Sequence, residues 1–224
     1  MVKRIIEITS RNILLVEGKD ECNFFKAYLE YLNIVDTIQI IDIGGKDKFR
    51  LAYISLSNSP GFSQVERLGF IRDAEDDAVS AFQSIKDIII EANTKNSFNI
   101  LVPKKPHEIE QNKTNSVGIF IMPDNTNPGM LEDLCLKSIE STSEYKCVGC
   151  FIKCFYDDFT ENDKLEFKKS KASVLAFLAT RAIGQDHPNA LGIAALKKIW
   201  NFDNQCFNNL REFISQLFMR MLFL

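Results

Sequence analysis

The run Ile13-Leu14-Leu15-Val16 stops abruptly at Glu17, and the same event recurs along the chain. Four branched apolar residues in succession read as a strand buried on both faces, the kind found in parallel sheets. "TIQIIDI" (residues 37–43) is a second such strand, closed by Gly44 and Gly45. "LGFIRDAE" (68–75) and "SVGIFIMPDN" (116–125) are two more, and both end in acids. Helical patterns fill the intervals. Asp20 is placed to cap a helix that carries Cys22, Phe25, Leu29 and Leu32 on one stripe. Another helix starts near Lys46, and Ala78, Ala81, Phe82, Ile85, Ile88, Ile89 and Ala92 share one helical face. "NPGMLEDLCLKSI" opens a further helix, with Asn127 as its cap and Pro128 in its first turn. This alternation predicts an α/β domain with a mainly parallel sheet flanked by helices.

Residues 93–116 are polar and read as a long surface loop. From about residue 142 the pattern is helical. Phe207, Leu210, Phe213, Ile214, Leu217, Phe218, Met221 and Leu222 make a broad apolar face at the C-terminus. Such a face must be covered, either by the chain's own core or by a homodimer or protein partner. The expected division is an α/β domain over 1–183 with a helical C-terminal extension over 184–224 packed on it.

No apolar window is long enough to span a membrane, and no signal peptide is evident at "MVKRIIEITS". With no secretion signal, the six cysteines fit a reducing cytoplasm, the expected location. A net charge of -3 gives no global attraction to nucleic acid, so any such binding needs a local patch.

Strands of a parallel sheet end at one edge, so Glu17, Asp73, Glu75 and Asp124 are expected to gather there, with Glu132 on the helix beyond. Two carboxylates ~4 Å apart repel by roughly 4 kcal/mol at an effective dielectric of about 20. A divalent cation would remove that cost, and Mg²⁺ binds through one or two carboxylates and water. The competing reading of each acid is a solvated loop residue or a helix cap.

"LLVEGKDE", "DIGGKDKF", "RDAEDDA" and "GIFIMPDN...GMLEDLC", in that order and spacing, resemble the TOPRIM-type domain of topoisomerases, primases and nucleases. The resemblance covers roughly residues 10–180. It lies closest to a bacterial group of uncharacterised TOPRIM-related proteins, near the TOPRIM half of the overcoming-lysogenization-defect nucleases. It implies a compact α/β sheet, an acidic site for Mg²⁺ or Mn²⁺, and action on DNA or RNA.

Under this resemblance Glu17 is a metal ligand or a general acid/base, Gly44 and Gly45 form the glycine turn, and Asp73 and Glu75 stand for an Asp-x-Asp pair. Glu132 is the further acid of the nuclease branch, and Lys171 a lysine near the scissile phosphate. Glu75 departs from the pattern by one methylene, so it reaches the metal, or Asp76 or Asp77 takes its role. Gly18, Lys19, Gly44, Gly45 and Lys46 are the expected substrate contacts, although turn geometry also accounts for the glycines. The function implied is a metal-dependent nuclease or related phosphotransfer enzyme. The alternative is a non-catalytic nucleotide- or nucleic-acid-binding module serving as a subunit of a larger, defence-type complex. An ATPase half is excluded within this chain, since no G-x-x-x-x-G-K-[ST] stretch occurs.

Three other features read as structural. Cys147, Cys150 and Cys154 in "CVGCFIKC" share one helical face and are expected to pack in the core. His107 and His187 read as surface residues. Lys164, Lys168, Lys169 and Lys171 form a basic stretch, either a solvated helix face or a phosphate track.

Overall fold

The apolar runs pair with one another. In a computed structural model describing residues 7–96, 99–181 and 188–219, β1 (Asn12–Val16), β2 (Gln39–Asp42), β3 (Arg67–Asp73), β4 (Ile109–Gln111) and β5 (Ser116–Met122) form one sheet. The order is β2-β1-β3-β5-β4, parallel throughout except for β4 at the edge. Alternate residues of β1 serve opposite sides. Leu14 and Val16 enter one core and Ile13 and Leu15 the other, which is why the run is continuously apolar.

The first core is covered by α1 (Lys19–Tyr31), and the second by α2 (Phe49–Ser57) and α3 (Ala78–Asn96). After β5 come α4 (Leu131–Ser138), α5 (Ser143–Tyr156), α6 (Glu161–Glu166) and α7 (Lys169–Ala179). The described chain ends with α8 (Leu191–Leu196) and α9 (Asn208–Phe218). Among the described residues no helix is long and apolar enough to cross a membrane.

Helix α9 lies against the sheet because two strands lack side chains beneath it. Gly69 of β3 and Gly118 of β5 are register partners. A Cβ on Gly118 would stand 2.7 Å from Phe213 and 2.6 Å from Ile109, and one on Gly69 would stand 3.0 Å from Leu217. The described part of the C-terminal stripe, Phe207 to Phe218, is therefore covered by the chain's own core, its sheet and α1 included. Met221 and Leu222 of that stripe lie outside the described residues, as do His187 and the expected 183/184 boundary. Gly118→Ala should cost about 1–3 kcal/mol by overpacking, read as a lower midpoint in urea unfolding.

Several expectations need correction. The polar stretch 93–116 is not all loop: α3 runs on to Asn96, and residues 109–111 pair with β5 through a tight turn held by the Asn112 side chain. The helix expected near Lys46 does begin there, as a 3-10 turn over Lys46–Lys48 that becomes α-helical at Phe49. Helix α4 starts at Leu131, because the Asn127 side chain bonds Asp124 at 2.8 Å instead of capping it. Asp20 does not cap its own helix; it accepts from the Leu191 and Gly192 N–H groups of α8 at 3.2 and 2.6 Å. Helix α5 forms as expected but buries Val148 and Ile152, leaving Cys147, Cys150 and Cys154 exposed.

Candidate functional site

Connections from β1 and from β3 diverge to opposite sides, so these two central strands leave a crevice at their C-terminal ends. Glu17 directly follows β1 there, and Asp73 is the last residue of β3. The Asp73 backbone N–H donates to Glu17 Oε1 at 3.2 Å, while Asp73 Oδ1 accepts from the Leu131 N–H at 3.0 Å. Asp73 thus satisfies an orphan donor in the first turn of α4, where the helix dipole also favours negative charge. Glu132 is the next residue of α4, and Lys171 Nζ of α7 stands 3.9 Å from its Oε1.

Glu21, four residues after Glu17, joins them from the first turn of α1. A Cβ on Gly18 would come within 3.0 Å of Glu21 Oε2, so the glycine leaves room for that carboxylate. Burial raises the pKa of Glu17, Glu21, Asp73 and Glu132 above the ordinary carboxylate range. Asp73 is pushed well above it, by burial first and then by the charges of Glu17, Glu132 and Glu21. Glu17 and Glu132 each feel the charge of Glu21, and Asp73 feels all three, which places the four at one edge of the sheet.

The glycine turn borders this edge. Gly44 and Gly45 have φ of 82° and 106°, a region glycine enters without strain. The Gly45 N–H donates to the Glu17 carbonyl at 2.6 Å. Lys46 pairs with Glu75 at 2.5 Å, joining the turn to the loop after β3. Glu75 itself has φ of 53° and exchanges backbone hydrogen bonds with Gly129, tying that loop to the segment before α4. The Lys46 hydrogen bond holds Glu75 below the usual carboxylate range, and the charges of Lys168 and Arg72 add to this.

The family described as "Protein of unknown function (DUF3226)" matches residues 11–219. The chain belongs to that family. No curated protein and no solved structure matches it.

Two of the expected acids in this DUF3226 chain are engaged elsewhere. Asp77 accepts from Val79 N–H and Ser80 Oγ and caps α3. Asp124 is folded into its own loop by Thr126 and Asn127, and borders a pocket of about 300 Å³ lined by His107, Asn125 and α9. Glu75 is at the edge but committed to Lys46, and Lys19 is exposed at the start of α1.

Two residues at the edge escaped the sequence reading. Glu21 is one; the signal was its position one helical turn beyond Glu17, in a helix that starts immediately after the strand. Arg72 is the other. It donates to Ser84 Oγ at 2.7 Å and its Nε lies 3.8 Å from Glu17 Oε1, buried and without a hydrogen-bond partner among the described residues.

Carboxylate oxygens are hard donors that suit Mg²⁺ or Mn²⁺, and raised, mutually repelling acids are what a cation relieves. On donor chemistry the residues fit. Among the described residues no three His, Cys, Asp or Glu side chains are arranged to hold an ion outright. An ion here would be held by one or two carboxylates with water completing the shell, as is usual for Mg²⁺.

Proposed function

We propose that this chain is a Mg²⁺- or Mn²⁺-dependent nuclease, or a related phosphotransfer enzyme, built on a TOPRIM-like domain. The observation that carries the reading is the meeting of Glu17, Glu21, Asp73 and Glu132 at the crevice between β1 and β3, each with its pKa raised. A cluster of like charges is costly to maintain in a marginally stable domain unless it serves a ligand.

Glu17 and Asp73 would hold the ion, with water completing its shell and Glu132 nearby. When bound, Mg²⁺ or Mn²⁺ supplies a lowered water pKa and charge stabilisation at the leaving oxygen of a phosphodiester. The protein's own part is placement. Asp73 is fixed by the Leu131 N–H, and Glu17 by the Asp73 N–H with the Arg72 guanidinium nearby. Lys171, 58% exposed beside Glu132, can turn to the phosphate and offset charge developing on it.

A second reading is a non-catalytic module that binds nucleotide or nucleic acid. The Lys46–Glu75 pair favours it, because the acid expected to complete the Asp-x-Asp pair is engaged with a lysine. Cleavage of single- and double-stranded DNA and RNA with Mg²⁺ or Mn²⁺ separates the two readings. Nuclease activity should appear with wild type and drop at least ~100-fold in Glu17→Gln. Wild type that binds nucleic acid but never cuts would leave the binding module.

A further inference from the structure

We propose that the start of α7, with the aromatic cluster beside it, is a docking ridge for single-stranded nucleic acid; this rests on the function proposed above and names its substrate class. Lys168, Lys169 and Lys171 are exposed in the first turn of α7 and just before it. Lys171 stands next to Glu132, and Lys168 is near enough to Glu75 for its charge to be felt there. Farther out, Tyr156 is faced by two ammonium groups, Lys169 at 5.4 Å and Lys164 at 5.8 Å from the ring centroid. Phe159 and Phe167 pack against that ring and Phe155 against both of them, and Phe151 is 60% exposed on the same arm.

Lysines interleaved with aromatic rings are what a single strand needs. Phosphates are met by cations, and unstacked bases lie on π-faces regardless of sequence. A lysine held over a ring by a cation–π contact can move to a phosphate and uncover the ring for a base. Two of the arm's acids are committed: Glu161 pairs with Lys164 at 3.1 Å, and Asp163 is bound by Thr160. Asp157 and Asp158 follow α5 and Glu166 closes α6, so the attraction is confined to Lys168, Lys169 and Lys171 rather than spread over the arm. Among the described residues neither Lys168 nor Lys169 is in an ion pair. With the whole chain at a net charge of -3, binding depends on these few groups.

The test is fluorescence anisotropy of a labelled oligothymidylate and of a labelled duplex with the full chain in EDTA, across a salt series. The variants are Lys168→Gln/Lys169→Gln and Tyr156→Leu, with thermal melts to confirm folding. The lysine double variant should bind the single strand about tenfold more weakly, with a log–log salt slope shallower by roughly 1.4. Tyr156→Leu should lose at least about fivefold with the slope unchanged.

Unaltered affinity and slope in the lysine variant would overturn the ridge, as would a preference for duplex. Both variants keep Glu17 and Asp73, so the metal response of the acidic edge is scored separately. Lysine-dependent binding without any metal response would sink the nuclease reading and leave the ridge standing.

Discussion

Gly192→Ala should destabilise the protein by about 3 kcal/mol, the upper part of the range for overpacked interiors. In a chain of this size that is a fall of roughly 6–12 °C in melting temperature. An added Cβ would lie 2.2 Å from the Asp20 carbonyl oxygen and 2.7 Å from both Asn23 Cβ and Asp20 Oδ1. The first of these is backbone, which cannot rotate aside, so α8 must lift away from α1. Lifting also stretches the bonds from Leu191 and Gly192 N–H to the Asp20 carboxylate. Away from the clash, alanine in place of glycine would favour the helix by about 1 kcal/mol. The sign of the change therefore distinguishes close packing from propensity. A midpoint equal to or above wild type would show that α8 does not sit on α1 this closely.

The two helices join regions that local pattern cannot connect. Asp20 looks like the cap of its own helix, because caps are usually local; its partners are 171 and 172 residues away. The parallel strands were readable because burial on both faces leaves an unbroken apolar run, as at Ile13–Val16. Strand β4 was not, since its three residues carry only Ile109 as an apolar signal and owe their conformation to pairing with β5. The cysteine row shows a limit of periodicity. A spacing of three and four residues identifies a helical face without saying which side the neighbours cover, and α5 turns Val148 and Ile152 inward instead.

The candidate site was partly readable for the same kind of reason. Acids that end buried parallel strands must reach a common edge, which located Glu17 and Asp73. The rule failed at Asp124, whose loop folds back so that Thr126 and Asn127 satisfy it. It also passed over Glu21 and Arg72. One faces the edge from a helix, and the other precedes the strand-end acid with its guanidinium near Glu17.

Asp73→Asn is expected to raise the stability of the metal-free protein at neutral pH and to remove its response to Mn²⁺. Asp73 holds its proton more tightly in the folded chain than in the unfolded one, because burial and the charges of Glu17, Glu132 and Glu21 oppose ionisation. Folding therefore takes up a proton between the ordinary aspartate range near about 4 and the raised folded value. Stability is greatest below that window and falls as pH rises through it. Asparagine carries no charge at any pH, and its Oδ1 can still accept from the Leu131 N–H. The melting temperature of the variant relative to wild type in EDTA should accordingly climb as pH is raised from about 4 toward 8, by some 2–4 °C for each kcal/mol of repulsion removed. Mn²⁺ at a hundredfold excess over Kd should add about 2.7 kcal/mol to wild type and nothing to the variant. Scanning both proteins across that pH range, with EDTA and then with Mn²⁺, measures both effects. A variant less stable than wild type at neutral pH in EDTA would mean that the Asp73 carboxylate is a structural helix cap, and that the acidic edge is not held in readiness for a cation.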